Sequence, residues 1–481
     1  MIRKTLWYTS LVAGLLSLVS LFVLPFIVNI NSYKPDLEST LSDALGLPLR
    51  ITGNMEYTLW PDSRIHINTI KLDNDFASLE EVRIGLNLYQ LLKGKDYIDY
   101  IEIIKPHISL LRFKNGEFNI PQSEKKASET EAEHATSFAV NKITVSDGDI
   151  VYSDHITETV TEVKGFDMEL KDLFLDTAVK QNLLQALSFK GTIYTKHINS
   201  HLVELSDVTF QVSAANGLYH MQPFSMTIFN GKATGKIKVD LAGTTPHLYL
   251  TSSISKFYLE ELASEYADTS FLLGKSDFLL NLSLQGSSMN EFLKTAKGSF
   301  SLMGENLILK QYDIDRILTN YRKSQKFGAL DIGAFFLAGP LGTAITKGYN
   351  FEEVYRVAGK SDGKIHKFIS KWNVENGAII AEDVAFCTEK NRMALQGKLD
   401  FINSRFDKVV AAVIDEKGCA EFTQKIYGSF DNPQFSKTTI LKSIAGAFLS
   451  LLRKTEKLVS RSQCKTFYSG SIQHPSYDVR S

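Results

Sequence analysis

Past residue 50, apolar residues recur two apart with polar ones between them, the period of a strand that turns one face to a core and the other to water. Ile237, Val239 and Leu241 alternate with Lys236, Lys238 and Asp240. Phe278, Leu280, Leu282 and Leu284 repeat the pattern with Asn281 and Ser283 opposite, and Leu395, Leu399 and Phe401 do so against Gln396, Lys398 and Asp400. Between such runs stand Asn115-Gly116, Asn216-Gly217, Asn230-Gly231 and Asn376-Gly377, with Asp147-Gly148 and Asp362-Gly363. These pairs favour the left-handed backbone of tight hairpins, so the chain reads as antiparallel ribbon and as mainly β.

Helical periodicity is scarce. It marks Asp36 to Leu45, Phe257 to Tyr266, Met289 to Ala296, and Ile314 to Tyr321, where Ile314, Ile317, Leu318 and Tyr321 share one stripe. That is too little helix to cover the apolar side of so much sheet. Either two sheets pack as sandwiches, or a long curved sheet leaves its apolar face lining a groove that something else occupies. Pro121 to Ser137 has no large apolar residue and reads as a flexible surface loop and candidate boundary. Gly328 to Ile345 is apolar but broken by Gly333, Gly339, Pro340 and Gly342, which suits a buried loop or a membrane-grazing element better than a span. Ile440, Leu441, Ile444, Ala447, Phe448, Leu451 and Leu452 form an amphipathic stripe beside Lys442, Arg453, Lys454 and Lys457, expected to cap the sheet rather than lie in a membrane interface. A small repeat flanks it: Cys419-Ala-Glu-Phe422 and Tyr427 to Phe435 are echoed by Cys464-Lys-Thr-Phe467 and Ser469 to Tyr477, each ending near a Pro that stops a ladder.

No charge falls between Thr5 and Ser32, and the stretch holding Leu6, Leu11, Leu15, Leu18, Phe22 and Phe26 is long enough for a hydrocarbon core, which takes about 20 helical residues. The expectation is a single transmembrane helix. Arg3 and Lys4 precede it and only Lys34 follows closely, so the amino terminus belongs in the cytoplasm and the body outside it. A cleaved signal is the competing reading, but Val28, Asn29 and Ile30 make a poor cleavage site. In a bacterium the body would then lie in the periplasm, where Cys419 and Cys464 could form a disulfide or stay as two free thiols; Cys387 is left over.

Composition narrows the function. Lys+Arg at 53 against Asp+Glu at 54 supplies no positive field for nucleic acid, and three Cys without a C-x-x-C pair offer neither a disulfide-dense scaffold nor a zinc site. Gly274-Lys275-Ser276 and Gly359-Lys360-Ser361 lack the Gly a phosphate loop needs, since Thr269 and Val354 stand there. His197 and His201 lie in strand-like sequence without a metalloprotease Glu, and Glu80-Glu81 and Glu260-Glu261 read as solvated faces. There is no Gly-x-Ser-x-Gly elbow. The expectation is a non-enzyme with no cofactor and no catalytic or metal site.

The order of segments resembles the AsmA family of Gram-negative envelope proteins. Arg50-Ile-Thr-Gly-Asn-Met-Glu-Tyr-Thr-Leu-Trp-Pro61 is similar to the family's opening strand pair, Val82 to Gly94 to the stretch after it, and Ile101 to Asn119, with Pro106 and Asn115-Gly116, continues the likeness. Pro223 to Gly231, the run to Leu241, and Cys419 to Pro433 are similar to later repeats. Tyr89-Gln90 stands where the family would place a Pro, and residues 436–481 form an extension. The resemblance implies an inner-membrane-anchored periplasmic protein of outer-membrane assembly or homeostasis, from a superfamily that conducts phospholipid along a β-groove. The fold expected is mainly β: the anchor, then an elongated, curved antiparallel groove with a few short helices and a C-terminal amphipathic helix. Its organisation is an anchor at 1–34, a first β region at 35–120, a loop at 121–137, central groove repeats at 138–310, a second family-like β region at 311–435, and the amphipathic helix and terminal strand at 436–481. Ile237, Val239, Leu241, Phe278, Leu280, Leu282, Leu284, Leu395, Leu399 and Phe401 are the groove candidates. The partners expected are the membrane, phospholipid or another lipid, and envelope proteins. The alternatives are an anchored scaffold for outer-membrane protein assembly without lipid conduction, and an envelope enzyme.

Overall fold

A computed structural model describes residues 29–45, 48–59, 62–72, 76–87, 89–90, 93, 98–119, 138–176, 183–201, 203–264, 272–324, 332–337, 361–440 and 464–475. The expected span, the loop at 121–137 and the C-terminal amphipathic stripe lie outside the described residues, apart from Ile440 in a short strand. The chain divides into two compact units, Met1–Phe224 and Ser225–Ser481.

In the first unit, strands Leu49–Ile51 and Met55–Thr58 both pair with Arg64–Leu72, which pairs with Ala77–Leu86. Helix Lys34–Leu45 lays Leu37 and Leu41 on the core formed by Leu49, Ile51, Met55, Ile67, Ile70 and Val82. Its polar side closes the sheet edge. The Leu49 amide donates to Ser42 Oγ (2.8 Å) and the Ile51 amide to Glu38 Oε1 (2.6 Å). Just before the helix, Asn31 accepts from the Met55 amide (2.8 Å) and donates to its carbonyl (3.0 Å). Next come Ile98–Ile104 and His107–Arg112, then the 17-residue strands Phe138–Asp154 and Thr159–Leu175, then Leu187–Asn199 and Glu204–Ala215.

Two ladders depart from the all-antiparallel expectation: Ile98–Ile104 and His107–Arg112 both run parallel to Phe138–Asp154. The two short strands act as one strand broken at Lys105-Pro106. They lie against a break in the long strand, where the register slips around Gly148 and Asp147 has φ 53°. The Asp147-Gly148 pair is thus a bulge inside a strand and not a hairpin. Gly148 suits the close approach there, since a Cβ would sit 3.0 Å from the Pro106 ring. A parallel crossover needs a connection of a dozen or more residues, and alternation carries no strand direction.

Where Arg112 pairs with Asp154, the Asp154 carboxylate accepts from the Ile156 amide (2.8 Å), the Tyr152 hydroxyl (3.0 Å), the Thr157 amide (3.3 Å) and Arg112 (3.3 Å). Burial pushes this carboxyl up, but those donors outweigh it and bring it from 3.8 down to about 2. A group depressed on folding stabilises above its unfolded value, and that contribution is lost as pH falls through the folded one. The Asp154→Asn chain should therefore melt below the parent at neutral pH, and the gap should close between about pH 4 and pH 2 in a thermal-melt series. A gap that is constant over that range would contradict the assignment.

In the second unit, Gly231–Asp240, His247–Tyr258, Lys275–Gln285, Lys297–Leu309, Gly363–Glu375, Ala378–Cys387, Arg392–Asp400, Arg405–Ile414 and Ala420–Ser429 pair antiparallel in sequence order. Asn216-Gly217 and Asn376-Gly377 turn with both residues at positive φ, as expected. Phe257 and Tyr258 end a strand instead of opening a helix, which is described over Leu259–Ser264; Phe257 fills the space over Gly231, where a Cβ would overlap it.

Helix Ile314–Ser324 and helix Ile332–Leu337 cover one face of the later strands. Ile314, Leu318 and Ile332 are buried with Leu302, Phe386, Met393 and Val413. The short helix lies in the stretch read as a buried loop: its described residues are apolar all round, so no amphipathic period marks it. On the other face Ala385, Ala394, Ala412 and Ala420 leave room for a returning segment, residues 464–475, whose Tyr468 and Ile472 pack on them. Cys464 is joined to Cys419 with the Cα atoms 6.1 Å apart, and Thr466 bridges Cys419.

Candidate functional site: two apolar sheet faces

Cross-strand register in the first unit lines up side chains from seven strands. One row is Ile67, Val82, Ile103, Val145, Met168, Ile193 and Phe210; the next is Ile65, Ile84, Ile101, Ile143, Leu170, Gly191 and Val212. At about 4.8 Å per strand each row runs about 29 Å. The helix bearing Leu37 and Leu41 covers the end around Ile67 and Val82. From Ile143 and Val145 onward, no residue of the two rows joins a core cluster among the described residues; Val145 and Val212 are buried, and Met168, Leu170, Ile193 and Phe210 are half-buried.

The reverse face is polar. Its row reads His66, Arg83, Glu102, Thr144, Glu169, Thr192 and Gln211. Arg83 donates to both Glu81 oxygens (2.7 and 2.9 Å), and Lys142 and Lys171 flank Glu169 at 2.9 and 2.7 Å. Hydrogen bonds from Arg83 hold the Glu81 carboxyl below its usual range despite partial burial. Such a ladder keeps its own face in water and leaves the apolar rows as the side that needs a cover.

The second unit repeats the design. Val239, Leu248 and Leu284 form one row, and Ile237, Leu250, Leu282, Gly298 and Val374 the next. A third carries Leu280, Phe300 and Trp372, with Phe300 and Trp372 rings stacked at 6.4 Å. Ile237, Val239, Leu241, Leu280, Leu282 and Leu284 are half-buried and belong to no core cluster among the described residues. Phe278 packs on the helix-covered core. Leu395 and Leu399 are buried with Trp372, Val384, Phe406, Val409, Ile426 and Phe430, and Phe401 packs on them. Of the ten residues expected to line a groove, these three sit against protein, as Phe278 does, and the other six are half-buried with no core cluster over them among the described residues.

Sequence reading missed the partners that complete the rows: Leu248 and Leu250, whose neighbour Tyr249 is itself apolar and blurs the alternation, and Met168, Ile193 and Phe210, which alternate with Thr, Asp and Gln only in short runs. The anchor residues Leu6, Leu11, Leu15, Leu18, Phe22 and Phe26 lie outside the described residues; no described helix is long and apolar enough to cross a membrane. His197 and His201 are both exposed and not brought together by the strand that carries the first. Among the described residues no cluster of three His, Cys, Asp or Glu side chains could hold a metal ion. What the rows can do is hold alkyl chains by contact while polar groups stay in solvent.

Among known proteins, the AsmA family matches residues 2–176 and 175–383. No curated protein matches the chain.

Proposed function

The chain belongs to the AsmA family of envelope proteins, and from that premise we propose that it binds phospholipid by its acyl chains along the two apolar faces and passes it along them in the service of the outer membrane. The observation that carries this is the register of apolar side chains across seven strands, whose later half joins no core cluster among the described residues. About eight methylenes laid on such rows would be worth about 6 kcal/mol, enough to hold a lipid without enclosing its headgroup. The stretch around Leu6 to Phe26 would fix the body to the inner membrane with the amino terminus in the cytoplasm. The proposal includes no catalytic step and no cofactor.

The test is native mass spectrometry of the full chain extracted in a neutral detergent. Phospholipid adducts should survive transfer to the gas phase and exchange for an added phospholipid of different mass. A bare chain that takes up no added lipid would leave the scaffold reading in its place.

A further inference from the structure

In the second unit, residues 464–475 return to the sheet as a strap. Its start is tied by the Cys419–Cys464 disulfide, which joins positions 45 apart in the chain. The Phe467 and Tyr468 amides then both donate to the Gly418 carbonyl (2.8 and 3.0 Å), at a turn where Gly418 has φ 83° and a Cβ would overlap the Tyr468 carbonyl. Further along, the Tyr468 hydroxyl donates to Asp383 Oδ1 (2.5 Å) and the Ser471 amide to Asp383 Oδ2 (2.9 Å). Arg392 donates to the Ile472 carbonyl (3.0 Å).

Apolar burial adds little to these ties. Within the described strap only Tyr468 and Ile472 are buried, and they rest on the short side chains of Ala385, Ala394, Ala412 and Ala420, in one cluster with Cys387. A cleft of about 690 Å³ stays open between strap and strands, where a face packed as a core would leave none. Cys419 is buried in the turn, but Cys464 is exposed, so a thiolate in solution can reach the bond from that side. A disulfide acts chiefly by removing the freedom of the open chain, and here that restraint falls on a segment that little else seals.

We propose that the Cys419–Cys464 disulfide is a redox-sensitive clasp: oxidised, it holds the strap down, and reduction by a dithiol releases residues 464–475 and uncovers the alanine face, Cys387 and the cleft. In the opening step one thiolate of the dithiol attacks the Cys464 sulfur and expels Cys419. The second thiolate then closes the dithiol into its own disulfide and expels Cys464. Two electrons and two protons pass from the dithiol to the two cysteines. The device lies apart from the apolar rows and does not rest on the lipid reading.

Hydrogen–deuterium exchange of the full chain in neutral detergent, read by mass spectrometry, tests it before and after treatment with dithiothreitol. Reduction of the folded chain should speed exchange in the peptide spanning residues 466–472 at least tenfold, while peptides from Arg392–Asp400 and Arg405–Ile414 keep their rates. Cys464→Ser, a change at an exposed position, should exchange as the reduced parent does with no reductant present. Reoxidation of the parent should restore slow exchange. A bond that dithiothreitol leaves intact in the folded chain, a strap that stays slow in the reduced parent or in Cys464→Ser, or fast exchange that persists after reoxidation would each overturn the assignment. So would loss of protection that spreads to the two strands, since the disulfide would then be a general stabiliser and not a clasp.

Discussion

Phospholipid carried by the purified chain should fall about a hundredfold in the Leu282→Asp and Ile193→Asp variants, with both proteins still folded. Leu282 lies between Leu250 and Gly298 in the second unit, and Ile193 between Met168 and Phe210 in the first. Neither belongs to a core cluster, so a carboxylate at either position can stay hydrated in the absence of lipid and the fold should tolerate it. An acyl chain crossing that carboxylate would forfeit contact over three or four methylenes, about 3 kcal/mol, which is about a hundredfold in affinity. Phosphorus analysis of protein matched by melting temperature measures the loss. Unchanged lipid content in both variants would remove the rows from any role in lipid binding.

The second large effect concerns stability. Leu318→Ala should destabilise the second unit by about 3 kcal/mol, within the roughly 2–5 kcal/mol seen for buried Leu truncations. Leu318 is fully enclosed, in one cluster with Phe386, Met393, Val413 and Phe422. Its helix is also tied to the sheet by polar contacts that hinder collapse of the cavity: Asp315 accepts from Thr388 Oγ1 (2.6 Å) and Asn391 Nδ2 (2.5 Å), and Arg322 pairs with Glu421 at 2.7 Å. Urea unfolding of the full chain, followed in the transition of this unit, gives the number. A loss under about 1 kcal/mol would mean that the helix yields and refills the space. Lipid content should not change, since Leu318 lies under the covered end of the sheet.

Much of this fold could be read from alternation and turn residues. Asn216-Gly217 and Asn376-Gly377 turn where expected, and helices begin near residues 34, 289 and 314 as the stripes indicate. What alternation could not give is the cover. Leu395 and Leu399 carry the same period-two signal as Leu280 and Leu282, yet the first pair is sealed while the second is half-buried and in no core cluster among the described residues. The difference lies in helix Ile332–Leu337 and in strands distant in sequence, and a one-sided pattern records only that one side is apolar. Direction was equally hidden: nothing in Ile98–Ile104 announces that it will run parallel to Phe138–Asp154. The Cys419–Cys464 pair lies at the start of two similar sequences, but the clasp built on Asp383, Arg392 and Tyr468 depends on side chains from three separate stretches.

Glu38, Ser42 and Asn31 occupy the amide groups that Leu49, Ile51 and Met55 would otherwise offer. A margin that spends three of its donors on its own side chains offers a foreign strand few amides to pair with, so sheet extension by other polypeptides is disfavoured at that border.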